Sequence, residues 1–294
     1  MPIRPVAVIL ALLAAITAPM ADAAGAEFLS RYVWERPDPV HGGFSGIELR
    51  ADRAGFIAIS DRGRIAQGRL VREDGLIAGV ADLQFERLRD RKGNPVATRI
   101  EDAEGLALAP DGSLYVSFEG AHRVWRYPAF GAAAQALPSH PDFAGLQMNS
   151  SLEALAIDTT GAVFTLPERS GSLSRPFPLY RFKDGRWTVP YQVPRVGEHL
   201  PVGADFGPDG KLYLLERRFS GLLGFSSRIR RFTLGPKGAL GEETLLTTPN
   251  LTHGNLEGLT VWRDRAGAIR LTLIEDDNFS MFQRTQFVEY RVTE

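Results

Sequence analysis

Carboxylates recur at a fixed interval in this chain. Glu153 and Glu168 lie fifteen residues apart in "SLEALAIDTTGAVFTLPER", and Glu104 and Glu119 repeat that separation in "DAEGLALAPDGSLYVSFEG". Glu257 is followed, across a slightly longer stretch, by Glu275 and Asp276, while Asp61 and Glu216 close two further stretches of the same kind. Carboxylate oxygens are hard donors suited to calcium, which takes six to eight oxygen ligands. A carboxylate left free of a metal can act as general base on water. Glu104, Glu153 and Glu257 are therefore candidate catalytic groups. Asp61, Glu119, Glu168, Glu216, Glu275 and Asp276 are candidate ligands for calcium. Arg62, Arg169, Arg217 and Arg218 directly follow strand-end acids. A guanidinium fork fits phosphate oxygens, so Arg62, Arg169 and Arg217 are candidate substrate-binding residues. His41 in "HGGF" and His253 in "HGNLEGL" precede two of the stretches and join that set.

The elements that must carry these groups are strands. Five segments align, with equivalent positions at Ser45, Glu104, Glu153, Val202 and Glu257. Each holds an apolar-alternating run, a turn ending in Gly, a second alternating run and a closing acid. In "GSLYVSFEG", Leu114, Val116 and Phe118 share one face, the period-two pattern of a strand. Weaker strands follow each hairpin, giving about four per repeat of roughly fifty residues, the size of one β-propeller blade. The spacing predicts an all-β chain, a single propeller of five blades. A sixth would follow if residues 64–100 held additional strands. The last repeat runs out after about three strands, so "FLSRYVWERP" is expected to complete it and close the ring. A β-sandwich is the structural rival, but its strands would not repeat so evenly.

In a blade the first strand lies nearest the axis and the second returns beside it. The start of one and the end of the other then share a face, which gathers the acids at the channel mouth. Two such charges about 6 Å apart at an effective dielectric near 20 repel by roughly 3 kcal/mol. The fold must neutralise them, with a hard cation such as calcium or with local arginine.

The 294 residues carry a net charge of −1 and no dominant basic stretch, which argues against nucleic acid as the partner. Residues 1–24 read as a secretory signal peptide: Arg4, the apolar run "VAVILALLAAI", then Ala21-x-Ala23. The domain is expected over 25–294, periplasmic or secreted, monomeric, with no stable membrane anchor after cleavage. Cysteine is absent, which excludes a lipoprotein anchor and disulfides. "HGGF" resembles an esterase oxyanion motif, but no G-x-S-x-G accompanies it. "EDDNFS" is rich in oxygen donors without the spacing of an EF-hand loop.

At "EDAEGLALAPDGSLYVSFEG", "NSSLEALAIDTTGAVFTLPERSG" and "NLEGLTV" the chain resembles the phytase-like family, esterase-like activity of phytase. "GGFSGIELRADRAGFIAISDRG" is similar to that family's opening blade. The resemblance covers roughly residues 41–290. It implies an exported bacterial propeller and phosphate-ester hydrolysis, with a small phosphate ester or other anionic ligand as partner. Ser45 and Val202 depart from the Glu of the other blades. A non-catalytic propeller that binds a ligand, glycan or protein, and a calcium-dependent lactonase or esterase, fit the same acid ring.

Overall fold

The computed structural model describes residues 25–38, 40–148, 150, 152–280 and 282–294. The expected signal peptide lies outside these residues. Among them are five antiparallel four-stranded sheets. Blade 1 holds β2 (Phe44–Leu49), β3 (Gly55–Ser60), β4 (Arg64–Glu73) and β5 (Leu76–Arg87). Blade 2 holds β6 (Ala103–Leu108), β7 (Leu114–Phe118), β8 (Arg123–Tyr127) and the short β9 (Gln135–Ala136). Blade 3 is β10 (Leu152–Ile157), β11 (Val163–Pro167), β12 (Phe177–Lys183) and β13 (Arg186–Val193). Blade 4 is β14 (Leu200–Phe206), β15 (Leu212–Phe219), β16 (Phe225–Leu234) and β17 (Leu240–Thr247). Blade 5 is β18 (Asn255–Arg263), β19 (Ile269–Asp276) and β20 (Gln286–Thr293), with β1 (Gly25–Val33) as its outermost strand. Residues 64–100 hold only the outer strands of blade 1, a short 3₁₀ turn and connections, so the ring has five blades.

Ring closure is a β1–β20 pairing that runs from Gly25 opposite Thr293 to Val33 opposite Gln286. A buried ion cluster reinforces it from the neighbouring blade. Glu289 of β20 takes both guanidinium nitrogens of Arg72 on β4, at 2.7 and 2.8 Å, and accepts from Thr272 at 2.8 Å. No membrane-crossing helix occurs among the described residues.

The core consists of five apolar clusters, each spanning a junction between adjacent blades. At the junction of blades 5 and 1, Trp34 stacks on Phe44 and Phe287 and meets Phe56 edge-on. Burying such side chains stabilises by about 1.5–3 kcal/mol each, and the alternation on the inner strands exists to supply both faces of every blade. Around the axis the inner strands approach so closely that small residues are needed. A Cβ on Gly105 would stand 2.5 Å from the Glu153 carbonyl oxygen and 2.5 Å from Ser117 Oγ. Lined by Ile47, Leu106, Leu155, Val202 and Leu259, the channel keeps a volume of only ≈ 10 Å³, about the room one water needs.

Candidate functional site: a carboxylate ring at one mouth of the channel

Every inner strand carries a β-bulge at its mouth end. The register breaks between Phe44 and Gly46, Ala103 and Leu106, Leu152 and Ala154, Pro201 and Gly203, and Leu256 and Gly258. The residues lifted out of the ladder are Ser45, Glu104, Glu153, Val202 and Glu257. A bulge bends its strand and re-aims a side chain, which is how three glutamates reach the mouth together. Opposite them stand the ends of the second strands. The Glu119 N–H donates to the Asp102 carbonyl and the Asp61 N–H to the Gly43 carbonyl, while Asp276 faces Asn255 and Arg217 faces Leu200. Glu168 lies one residue beyond the Leu152–Pro167 pair. Around the mouth the strand-two positions therefore read Asp61, Glu119, Glu168, Arg217 and Asp276.

Arg217 takes the place that a carboxylate holds in the other four blades. Its guanidinium is hydrogen-bonded to Glu257 and to Asn255 of blade 5, and lies 3.5 Å from Glu168 of blade 3. Asn255 also donates to Glu257 at 2.9 Å and to Asp276 at 3.3 Å. One side of the ring is thus held by an internal cation. On the other side, ligand oxygens of Asp102, Glu104 and Glu119 all lie within 4.8 Å of one another. Among the described residues no lysine or arginine makes an ion pair with Asp102, Glu104 or Glu153.

The crowding shows in the acidities. Burial, then the charges of Glu153, Glu257, Asp102 and Glu119, pushes Glu104 well above the usual carboxylate range. Burial does the same to Glu153, followed by its hydrogen bond with Glu119 and the charge of Glu168. Asp61 rises to about 7 through burial and Asp102, with Arg62 opposing. Asp276 rises to about 8 through burial and Glu257. Glu257 is raised by burial against the pull of Arg217.

The mouth therefore brings together Glu104, Glu153 and Glu257 with Asp61, Glu119, Glu168, Asp276 and Arg217. It does not include Glu216 or Glu275. Glu216 is fully buried in blade 4, bonded to Arg228 at 2.6 Å and Arg230 at 2.5 Å. Glu275 points to Gln286 at 2.5 Å and to His253 at 3.6 Å. Each is one residue out of phase with the ring, and one residue reverses the face of a strand. His253 is buried against Tyr290, its Nε2 2.5 Å from the phenol oxygen; burial and the Arg31 charge lower it to about 4. His41 sets its Nε2 2.7 Å from the Trp34 carbonyl, and burial lowers its pKa. Neither histidine joins the ring. Arg169 is half exposed at the rim, 2.9 Å from Ser150 Oγ and 3.4 Å from Glu168. Arg62 is exposed and stacks on Phe279. The sequence reading missed Asp102 and Asn255, each two residues before a ring glutamate in a D-x-E or N-x-E pattern.

The opposite mouth carries a second acid pair that the sequence reading also missed. Thr260 Oγ1 lies 3.2 Å from Glu48 and 3.4 Å from Asp205, and receives the Leu49 N–H at 3.3 Å. A hydroxyl has one proton to give, so Thr260 serves one of the two carboxyls at a time. Asp205 also accepts the Val261 N–H at 2.6 Å. Burial and Asp205 hold Glu48 well above the usual range, and burial raises Asp205 to about 7.

Fold and site together define a closed five-bladed β-propeller with an acidic mouth. The chain belongs to the phytase-like family, described by the esterase-like activity of phytase, whose family model matches residues 39–279. No curated protein matches it. Among solved structures it is similar to an exo-beta-1,3-galactanase from Clostridium thermocellum, with a TM-score of 0.56 and 10% identity over 92% of this chain and 63% of that one. A protein of unknown function from Dyadobacter fermentans gives a TM-score of 0.50 and 13% identity over 92% of this chain and 100% of that one. A gluconolactonase from Xanthomonas campestris gives 0.47 and 16% identity over 84% and 72%. At these identities the first two likenesses are of fold alone.

Proposed function

We propose that the chain is an exported hydrolase of phosphate esters that works at the carboxylate ring with calcium held there. The observation that carries this reading is the division of the ring: Arg217 neutralises one side, and Asp102, Glu104 and Glu119 converge on the other. Oxygens that share one calcium at about 2.4 Å lie no more than about 4.8 Å apart, which the three carboxylates satisfy. Bound there, calcium would polarise a phosphoryl oxygen and acidify a water. Glu153 borders this triad through its hydrogen bond with Glu119, and as a carboxylate beside the bound cation it would serve as general base on the water. Arg169 offers its exposed guanidinium to phosphate oxygens at the rim. Arg217 has its donors committed to Glu257, Asn255 and Glu168, so it orients the ring rather than gripping substrate. The family description supports ester hydrolysis as the reaction class.

The test is a panel of phosphate and carboxylic esters assayed with calcium and with chelator. Calcium-dependent turnover of phosphate esters is expected, with loss of turnover in Glu104→Gln and Glu153→Gln. Calcium at a hundredfold excess over Kd should add about 2.7 kcal/mol of stability. Turnover indifferent to chelator would overturn the calcium role. Turnover confined to carboxylic esters would overturn the substrate class.

A further inference from the structure

Two motifs with no part in the ring, Gly42-Gly43 and the Asp277–Ser280 run, meet on the rim beside blade 1. Asp277 Oδ1 accepts the N–H of Gly43 and the N–H of Phe279, each at 3.0 Å. The glycines have φ of +117° and +64° and no spare room. A Cβ on Gly42 would meet the Asp277 carboxylate at 2.7 Å, and one on Gly43 the Phe279 ring at 2.4 Å. Asn278 and Phe279 are themselves left-handed, with φ of 48° and 47°, which costs roughly 1–2 kcal/mol per residue bearing a Cβ. The outcome of this strained contact is the position of one ring. Phe279 lies against the Arg62 guanidinium, 3.2 Å from centroid to Cζ.

Arg62 and Phe279 wall a cavity of ≈ 120 Å³ with Val40, Arg64, Arg87 and Glu101. Arg64 and Arg87 stand directly opposite each other on β4 and β5. Like charges so placed destabilise a sheet. Glu101 is bonded to Arg87. Among the described residues neither Arg62 nor Arg64 makes an ion pair, and Arg87 Nε is buried without a hydrogen-bond partner. Three guanidinium groups against one carboxylate leave two positive charges in excess.

The geometry points to an anion pocket for a phosphate group, distinct from the carboxylate ring but adjoining it. Asp61 and Asp102 face the ring, while their chain neighbours Arg62 and Glu101 line the pocket. Whole organic ligands occupy roughly 300–1,000 Å³, so this cavity takes one compact group. Guanidinium forks match phosphate oxygens, and stacking on Phe279 holds Arg62 in place for them. The phosphate comes either free or as a second phosphate of an ester bound at the ring; the latter source rests on the function proposed above.

Inorganic phosphate is titrated calorimetrically into the full chain with chelator present, so the ring's chemistry plays no part. One saturable site is expected, weakened about ten- to hundredfold by Arg64→Gln. Without phosphate that variant should melt no lower than the parent, because Arg64 has no carboxylate to lose and its removal relieves Arg87. Equal affinity in parent and Arg64→Gln, or no saturation up to about 10 mM, overturns the pocket. Intact phosphate binding in a protein that turns over no phosphate ester overturns only the ring's proposed reaction. Where turnover is found, a KM raised by Arg64→Gln for bisphosphate but not monophosphate esters identifies the ester as source. An unchanged KM alongside weakened phosphate binding identifies free phosphate.

Discussion

Replacing Arg217 by glutamine removes the buried cation that bridges Glu257 and Glu168 across the ring while keeping a side chain of similar reach. The Arg217 side chain is 18% exposed and serves Glu257, Glu168 and Asn255 at once. Breaking a buried ion pair from one side costs about 3–5 kcal/mol, because the partner charge is left without compensation. For a chain of this size that lowers the melting temperature by about 6–20 °C, at roughly 2–4 °C per kcal/mol. The loss depends on pH in a definite direction. Glu257 is already raised by burial, and Arg217 opposes that rise. Without the arginine its folded pKa climbs further above the unfolded value. A carboxyl raised in this way contributes stability below the ordinary carboxylate range and loses it as pH passes the folded value. The penalty should therefore be larger near about pH 8 than near about pH 5. Chelator-treated parent and variant are compared by thermal and urea unfolding at both pH values. Calcium should then restore more stability to the variant than to the parent, since the ring has become more negative. A penalty below about 1 kcal/mol, the scale of an exposed pair, or one equal at both pH values, would refute the assignment of Arg217 as the ring's counter-charge.

At the opposite mouth, Glu48 and Asp205 are both raised, Asp205 to about 7. Their contribution is present at acid pH and fades as pH rises through about 7, so Glu48→Gln should flatten the fall in stability between about pH 5 and about pH 8; identical urea midpoints shifts in parent and variant would show that the pair does not titrate there. Glu289→Ala strands Arg72 and Arg270 at the closure of the ring. Loss of about 3–5 kcal/mol is expected, with hydrogen exchange accelerating first in β1 and β20; uniform acceleration through all five blades would argue against a local clasp.

Blade count and ring closure were legible because alternation and turn residues are local signals that repeat. The fifteen-residue spacing of Glu104–Glu119 and Glu153–Glu168 also survived into space. The phase at the strand ends did not. Counting in twos along β15 and β19 does not say whether Glu216 or Arg217, Glu275 or Asp276, faces the axis. The bulge on the inner strand shifts its partner's register by one, and nothing in the sequence marks a bulge except the small residue behind it. Asp102 and Asn255 escaped for a related reason: Asp102 lies just before β6 and Asn255 is the first residue of β18, where the preceding turn rather than alternation decides direction. Glu48 and Asp205 are separated by 157 positions in sequence and meet only because the ring closes.

The lifted residue on each inner strand has no partner across the ladder to preserve. Ser45 and Val202 occupy it on the same backbone as three glutamates. Pairing is thus uncoupled from the identity of what projects into the opening. Five seats can be refilled one at a time without re-threading a sheet, and a scaffold of this kind can trade one ligand for another while its hydrogen-bonded frame stays the same.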